Sequence, residues 1–183
     1  MRIISGSLGG RRLKTVEGEG YRPAMGRTRE ALFSMLEARG IDWEKTSALD
    51  LYAGSGSLAF EAISRGAARA VLVENSRQAV DCLEDNRRAL GLENRAWLVR
   101  EDVGRFLRKG ADGRYGLVFI DPPYGRRLTP PAMLFLLRHG WLAPGALVAA
   151  EVEKAATFEA PEPLERLAAR NFGNTVLNIW RLS

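Results

Sequence analysis

Short apolar segments alternate with helical segments through most of this chain, and no other feature limits its fold as strongly. Strands are predicted at 47–52, 70–74, 96–100, 117–121 and 146–152. Helices are predicted between them at 58–65, 76–90 and 131–138. Strands joined through helices pair in parallel, so this pattern predicts a parallel sheet with helices on both faces.

Two further strands are predicted at the C-terminus, at 164–172 and 175–182. They flank Gly173-Asn174, which is typical of a tight hairpin turn. The sequence therefore predicts an α/β fold of the Rossmann-like, doubly wound type. Its sheet has seven strands, is mostly parallel and carries an antiparallel hairpin at one edge.

The N-terminal segment is basic and rich in glycine, and a helix is predicted after it at 28–39. Residues 1–30 hold seven Lys/Arg and three Glu, and the net charge of the whole chain is +5. Clustered cations beside glycines suit contact with phosphates. A solvated arm in an arginine-rich chain explains the charge equally well. We predict an N-terminal basic arm and helix at 1–40, a second domain at 41–183, and RNA contacts at Arg11, Arg12, Lys14, Arg22 and Arg27.

The composition excludes several classes of protein. Cys82 and His139 are single residues of their types, so no intramolecular disulfide and no metal site are expected. No apolar run has the roughly 18 residues that span a bilayer, and the N-terminus does not resemble a signal peptide. A cytoplasmic protein without membrane contact is the expectation.

Acidic residues stand at the ends of four successive predicted strands: Asp50, Glu74, Asp102 and Asp121. In open parallel sheets, ligands bind beyond the carboxyl ends of the strands. Four unrelated surface carboxylates would not show this regularity. The sequence therefore predicts that the four carboxylates converge on one ligand site.

The loop after the first strand contains Gly54 and Gly56, which allow the backbone to approach a ligand closely. Glu74 can accept hydrogen bonds from a ribose diol, and Asp102 from an adenine amino group. The spacing fits both an adenosine-containing methyl donor and a nicotinamide dinucleotide. The predicted cofactor-binding residues are Asp50, Tyr52, Ala53, Gly54, Gly56, Glu74, Asp102 and Val103.

The fourth strand ends in Asp121-Pro122-Pro123-Tyr124, and this turn favours the methyl donor. Prolines remove backbone donors, so the carbonyls of this turn act as acceptors. The Asp121 carboxylate and the Pro122 carbonyl can together accept both N–H groups of a planar amine. Tyr124 can stack on the ring that carries it. A nicotinamide site needs none of these groups, and we predict Asp121, Pro122 and Tyr124 as catalytic.

The turn resembles the Asp/Asn-Pro-Pro-Tyr/Phe motif of amino-group methyltransferases, and residues 49–57 resemble their S-adenosylmethionine motif. More narrowly, most of the chain resembles the bacterial RsmD family of small-subunit ribosomal RNA guanine-N2 methyltransferases. Where that family usually has Pro-Thr and an acidic residue two positions later, this chain has Pro23-Ala24-Met25-Gly26. The similarity extends over residues 2–6, 22–33, 53–56, 61–66, 121–124 and 140–142.

The resemblance implies a class I methyltransferase domain at 41–183 that uses S-adenosyl-L-methionine to methylate the N2 amino group of a guanine in 16S ribosomal RNA. The expected substrate is a small-subunit assembly intermediate and the expected enzyme a monomer. A DNA adenine-N6 or cytosine-N4 methyltransferase uses the same turn but usually has a separate recognition region. A protein glutamine-amide methyltransferase favours Asn in place of Asp121. A non-catalytic RNA-binding module is a further alternative.

Overall fold

The computed structural model describes residues 1–16, 26–123, 125–156 and 158–183. Within these residues the strands are β1 (Ser47–Leu51), β2 (Arg69–Glu74), β3 (Ala96–Arg100), β4 (Tyr115–Ile120), β5 (Leu142–Glu153), β6 (Leu164–Phe172) and β7 (Thr175–Leu182). The helices are α1 (Gly26–Glu37), α2 (Ser57–Ser64), α3 (Arg77–Leu90), α4 (Val103–Arg108) and α5 (Thr129–Arg138), with a short 3₁₀ helix at Lys154–Ala156.

The strands form one seven-stranded sheet in the order β3-β2-β1-β4-β5-β7-β6. Strands β1 to β5 are parallel, while β7 is antiparallel to both β5 and β6. The predicted fold class is thus confirmed. The strand order reverses direction at β1 and β4, and the crevice at such a switch point is where open sheets of this type bind ligands.

Apolar side chains cover the sheet on both faces and form two clusters. Leu32 of α1, Phe60 of α2 and Leu83 of α3 belong to the cluster on one face. Leu107 of α4 and Met133 of α5 belong to the cluster on the other. The central parallel strands β1, β2 and β4 are therefore mostly buried on both faces, as their continuous apolar sequences predict, whereas the edge strand β3 is partly exposed.

Capping residues explain why several element boundaries could be predicted. Ser76 accepts a hydrogen bond from the Ala79 N–H at the start of α3, and Gly91 ends that helix in the left-handed conformation. The short helix α4 was not predicted. Its signals are the cap Asp102, whose carboxylate accepts from the Arg105 N–H at 2.9 Å, and the apolar residues that follow.

The N-terminal residues form a hairpin closed by an antiparallel bridge between Arg2 and Arg12. Ile3 and Leu13 are buried in the same apolar cluster as α1, α2 and α3. Gly6 has φ of +83°, and a Cβ atom there would lie 1.9 Å from the Ser64 carbonyl oxygen. Only glycine allows the hairpin to approach the end of α2 this closely. The division into parts at 1–40 and 41–183 stays a prediction.

Candidate active site

The loop between β1 and α2 is drawn tightly against the helices. Gly56 precedes α2 with φ of +78°, and a Cβ atom there would lie 2.4 Å from the Phe60 ring and 2.6 Å from the Leu83 side chain. Tyr52 also has a positive φ, 63°, which is uncommon for a residue with a side chain. These conformations form the tight turn that leads from β1 into α2.

The Glu74 carboxylate ties the end of β2 to this loop. Its Oε2 accepts from the Gly54 N–H at 3.0 Å, and its Oε1 accepts from the Asn75 and Ser76 N–H groups at 2.8 and 2.9 Å. A carboxylate offers about four acceptor positions. Three of these positions accept from backbone N–H groups, so one remains for a ribose hydroxyl. To accept from a second ribose hydroxyl, Glu74 would have to share one position between that hydroxyl and a backbone N–H.

Three of the predicted acids share one electrostatic environment. Asp50 is buried, and burial raises its pKa to about 8, with further contributions from the charges of Asp121 and Glu74 and an opposing hydrogen bond from the Ala59 N–H. Burial also raises the pKa of Asp121 to about 7, and the charge of Glu151 adds to this effect. The structure thus brings Asp50, Glu74 and Asp121 together at one rim.

The fourth predicted acid, Asp102, lies beside Tyr52. Burial raises the pKa of the half-buried Tyr52 to about 12, and the Asp102 charge contributes. The Asp102 side chain is exposed and caps α4, and Val103 after it is buried in the core. Asp102 therefore has a structural role at this position besides its predicted contact with adenine.

The Asp-Pro-Pro turn leaves the sheet directly after β4. The Asp121 N–H donates to the Leu51 carbonyl of β1 at 3.4 Å, which fixes the start of the turn beside the glycine loop. Pro122 is half-buried. Tyr124 lies outside the described residues.

A pocket of about 270 Å³ opens beside this turn. Its volume approaches the roughly 300 Å³ at which small-molecule sites begin. A smaller cavity of about 20 Å³ shares Glu151 with this pocket and is also lined by Arg29 and Asp121 among others. Residues that line the larger pocket include Pro122, Pro123, Arg127, Glu151, Glu153 and Phe158.

Glu151 lines both spaces and was not predicted as a site residue. Its Oε1 accepts from the Thr175 hydroxyl at 2.6 Å, so β7 orients the carboxylate. The signal was present in the sequence, because Glu151 follows Ala149-Ala150 near the end of the fifth strand. The rule that selected Asp50, Glu74, Asp102 and Asp121 applies to it as well.

The predicted RNA-binding residues of the hairpin lie beside α3. Lys14 forms an ion pair with Asp85 at 2.7 Å, and Arg11 donates to the Ala89 carbonyl. Arg12 and Arg27 are exposed, while Arg22 lies outside the described residues. These cations are therefore carried by a packed hairpin and by the start of α1.

Asn86 joins this hairpin to the glycine loop, and no local pattern in the sequence predicts this link. Its side-chain amide lies 3.0 Å from the Lys14 carbonyl and 2.9 Å from the Ser55 carbonyl, and its oxygen accepts from the Lys14 N–H at 2.8 Å.

In the part of the chain that the structure describes, no group of three or more His, Cys, Asp or Glu could hold a metal ion. No helix there is long and apolar enough to cross a membrane.

Comparison with known sequences gives one family and several relatives. The family model described as Conserved hypothetical protein 95 matches residues 1–181. Ribosomal RNA small subunit methyltransferase D of Escherichia coli strain K12 is 39% identical over 154 residues, which cover 84% of this chain and 75% of the relative. The protein of the same name from Haemophilus influenzae is 33% identical over 175 residues, covering 94% and 89%.

Solved structures show the same architecture. The Escherichia coli protein yhhF superposes with a TM-score of 0.86 at 33% identity, covering all of this chain and 98% of that one. An RNA methyltransferase from Salinibacter ruber in complex with S-adenosyl-L-homocysteine superposes with a TM-score of 0.66 at 17% identity, covering 88% and 94%. At that identity the likeness concerns the fold alone.

Proposed function

Because the chain belongs to the family of Ribosomal RNA small subunit methyltransferase D, we propose that it transfers a methyl group from S-adenosyl-L-methionine to the N2 amino group of a guanine in 16S ribosomal RNA. The observation that carries the proposal is the Asp121-Pro122 turn, which lies beside the glycine loop at the switch point of the sheet. The enzyme acts as a cytoplasmic monomer on a small-subunit assembly intermediate.

The residues at the glycine loop fit S-adenosylmethionine. Glu74 retains an acceptor position for a ribose hydroxyl, and Gly56 lets the loop pack closely against Phe60 and Leu83 beside it. The Glu74 carboxylate at this rim suits a ligand with a positive charge, whereas the raised pKa of the buried Asp50 favours its neutral form near pH 7. When bound, this donor supplies an electrophilic methyl group on a positively charged sulfur.

Asp121 and the Pro122 carbonyl accept the two N–H groups of the target amine and aim the nitrogen lone pair at the methyl carbon. Tyr124 stacks on the base, which must be unpaired or flipped out of its helix. The new N–C bond forms as the C–S bond of the donor breaks, and the electron pair of the C–S bond goes to sulfur. The nitrogen then loses one proton to an Asp121 oxygen and so to water. Positioning and acceptors aimed at the developing ammonium supply the rate enhancement.

Glu74→Ala is expected to weaken S-adenosylmethionine binding by roughly tenfold or more, because one charge-assisted hydrogen bond is worth about 1.5–3 kcal/mol. The variant also releases the Gly54 N–H, which adds to the loss. Titration calorimetry measures the affinity. Glu93→Ala, at an exposed acid before β3, is the matched control and should bind normally. An unchanged affinity of the Glu74 variant would remove this residue from the donor site.

Methyl transfer is expected to slow as the pH falls through about 7, because only the ionised Asp121 carboxylate can take the proton that the methylated amine releases and oppose its developing positive charge. The raised pKa of this carboxyl comes from burial first and from Glu151 second. Bound donor carries a positive charge and therefore moves the inflection to lower pH. The position of this inflection is measured from single-turnover rates at saturating S-adenosylmethionine over a pH series that extends below and above 7. A flat profile down to the ordinary pKa of an aspartate, about 4, would contradict the assignment.

Replacing Arg11, Arg12 and Lys14 together with Ala is expected to flatten the dependence of RNA affinity on salt. Phosphate contacts release counterions, and each one lost reduces the slope of log affinity against log salt by roughly 0.9 for a duplex and 0.7 for a single strand. Filter binding over a salt series gives the slope. Lys45→Ala, at an exposed lysine just before the amino end of β1, is the control. Equal slopes for all proteins would exclude the hairpin from the RNA interface.

The identity of the methylated nucleoside tests the proposed substrate directly. Ribosomal RNA from a strain that lacks the protein is digested, and mass mapping of its nucleosides is expected to show the loss of N2-methylguanosine at one site of 16S ribosomal RNA. Purified enzyme should restore it, and more efficiently on particles that carry assembly proteins than on naked RNA, because folded shape selects the flipped base. Restored N6-methyladenosine, or methylation confined to DNA, would contradict the substrate assignment.

A further inference from the structure

We infer that Glu151 selects guanine as the target base by accepting a hydrogen bond from its N1–H, next to the amino group held by Asp121. This inference rests on the proposed function and deepens it. It assigns base selectivity to a residue of β5 that lies outside the Asp-Pro-Pro-Tyr turn.

The sheet register puts the two carboxylates side by side. Phe119 pairs with Ala149 and Ile120 with Ala150 in the parallel ladder of β4 and β5. The next residue on each strand is Asp121 and Glu151. Residues at the same level of neighbouring parallel strands point to the same face of the sheet, and the strands are about 4.8 Å apart. Both side chains line the same small cavity, in agreement with this register.

Glu151 also reaches the space where a base can sit. It lines the 270 Å³ pocket together with Pro122, whose carbonyl is the second acceptor in the proposed reaction. The Thr175 hydroxyl, 2.6 Å from Oε1, holds the carboxylate in a defined orientation. A carboxylate has about four acceptor positions, so one carboxylate can accept from several donors at once.

The three candidate bases differ at the position next to their amino group. Guanine has the N1–H donor beside its N2 amine. Adenine has the bare N1 acceptor beside its N6 amine, and cytosine has the bare N3 acceptor beside its N4 amine. With guanine, Asp121 accepts from the N2 amine and Glu151 accepts from N1–H. With adenine or cytosine, the Glu151 carboxylate would face the lone pair of a ring nitrogen and be repelled by it. A second carboxylate therefore favours guanine and rejects adenine and cytosine.

The test replaces the target nucleotide rather than the whole RNA. Small-subunit particles are reconstituted with 16S ribosomal RNA that carries guanosine or 2-aminopurine riboside at the mapped position. 2-Aminopurine keeps the 2-amino group but has a bare N1. We expect the unmodified enzyme to methylate guanosine at least about tenfold faster than 2-aminopurine, measured as kcat/KM.

Glu151→Gln is expected to bring this ratio close to one, because the glutamine amide can donate to a bare N1 and can still accept from Thr175. Its donor affinity, measured by calorimetry, should match that of the unmodified enzyme and so reports an intact fold. Glu153→Gln is the matched control. Glu153 lines the same pocket, and its carboxylate accepts from the Gly125 N–H at 2.7 Å.

The possible failures are distinguishable. If the unmodified enzyme methylates guanosine and the Glu151 variant keeps the ratio, the inference is wrong and the proposed function stands. A collapse of the ratio in the Glu153 variant alone would transfer the role to Glu153 and overturn the assignment to Glu151. Particles that receive no methyl group at guanosine overturn the proposed function, and the inference with it.

Discussion

Asp121→Ala is expected to lower the rate of methyl transfer by at least about 100-fold while the affinity for S-adenosylmethionine stays within a few-fold of normal. The physical reason is that the contact between Asp121 and the amine strengthens as the reaction proceeds. Asp121 acts on the amine, which becomes positively charged only as the new bond forms, and an acceptor placed there stabilises the transition state more than the ground state. Single-turnover rates and calorimetry separate the two quantities.

Asp121→Asn is the matched control for this prediction. Asparagine keeps a side-chain carbonyl that accepts an N–H, and the motif that this turn resembles allows either residue. It should retain more activity than the alanine variant. Because an amide does not titrate, it should also lose the decline in rate towards acidic pH. Near-normal transfer by the alanine variant would refute the mechanism, and an acid limb that persists in the asparagine variant would assign the titration to another group.

Local patterns of sequence made most of the fold predictable. A strand buried on both faces requires a continuous apolar segment, and helix caps leave signals such as Ser76 and Gly91. The confirmed fold class follows from such local features. Helix α4 was missed because six residues hold too few apolar positions for a clear period, although the cap Asp102 marks its start.

The site was predictable only where the chain places its groups at strand ends. This rule selected Asp50, Glu74 and Asp121, whose charges act on one another in the structure. Glu151 obeys the same rule, but its position beside Asp121 depends on the order of the strands, which the sequence alone did not provide.

Long-range contacts of the N-terminal hairpin could not be predicted. A cluster of Arg and Gly residues predicts an irregular arm or a short hairpin, but it does not indicate that Ile3 and Leu13 of this segment are buried in the core. The contact depends on Glu61 of α2, which is more than fifty positions along the chain from its hairpin partners. Nothing in the local sequence of either segment identifies the other.

Glu61→Ala is expected to destabilise the protein by about 3–5 kcal/mol, the cost of removing one partner of a buried charged network. The Glu61 side chain is fully buried. It accepts from the Ile4 N–H at 2.6 Å, from the Ser5 N–H at 3.0 Å and from Arg65 Nε at 2.9 Å. Alanine leaves all three donors without this acceptor. Its removal also takes away the negative charge that opposes the lowering of the pKa of the buried Arg29 by desolvation. Urea unfolding measures the loss.

Glu37→Ala provides the comparison, because Glu37 binds the same arginine from the surface. Its carboxylate lies 2.6 Å from Arg65 Nη1, but its side chain is 49% exposed, and an exposed pair contributes about 0–1 kcal/mol. Glu61→Gln keeps one acceptor oxygen and should fall between the two alanine variants. Equal losses of unfolding free energy in Glu37→Ala and Glu61→Ala would show that the ion pairs of Arg65 determine the stability, and not the hydrogen bonds from Glu61 to the hairpin. A loss specific to Glu61 means that the hairpin, and the cations it carries, depends on this buried carboxylate.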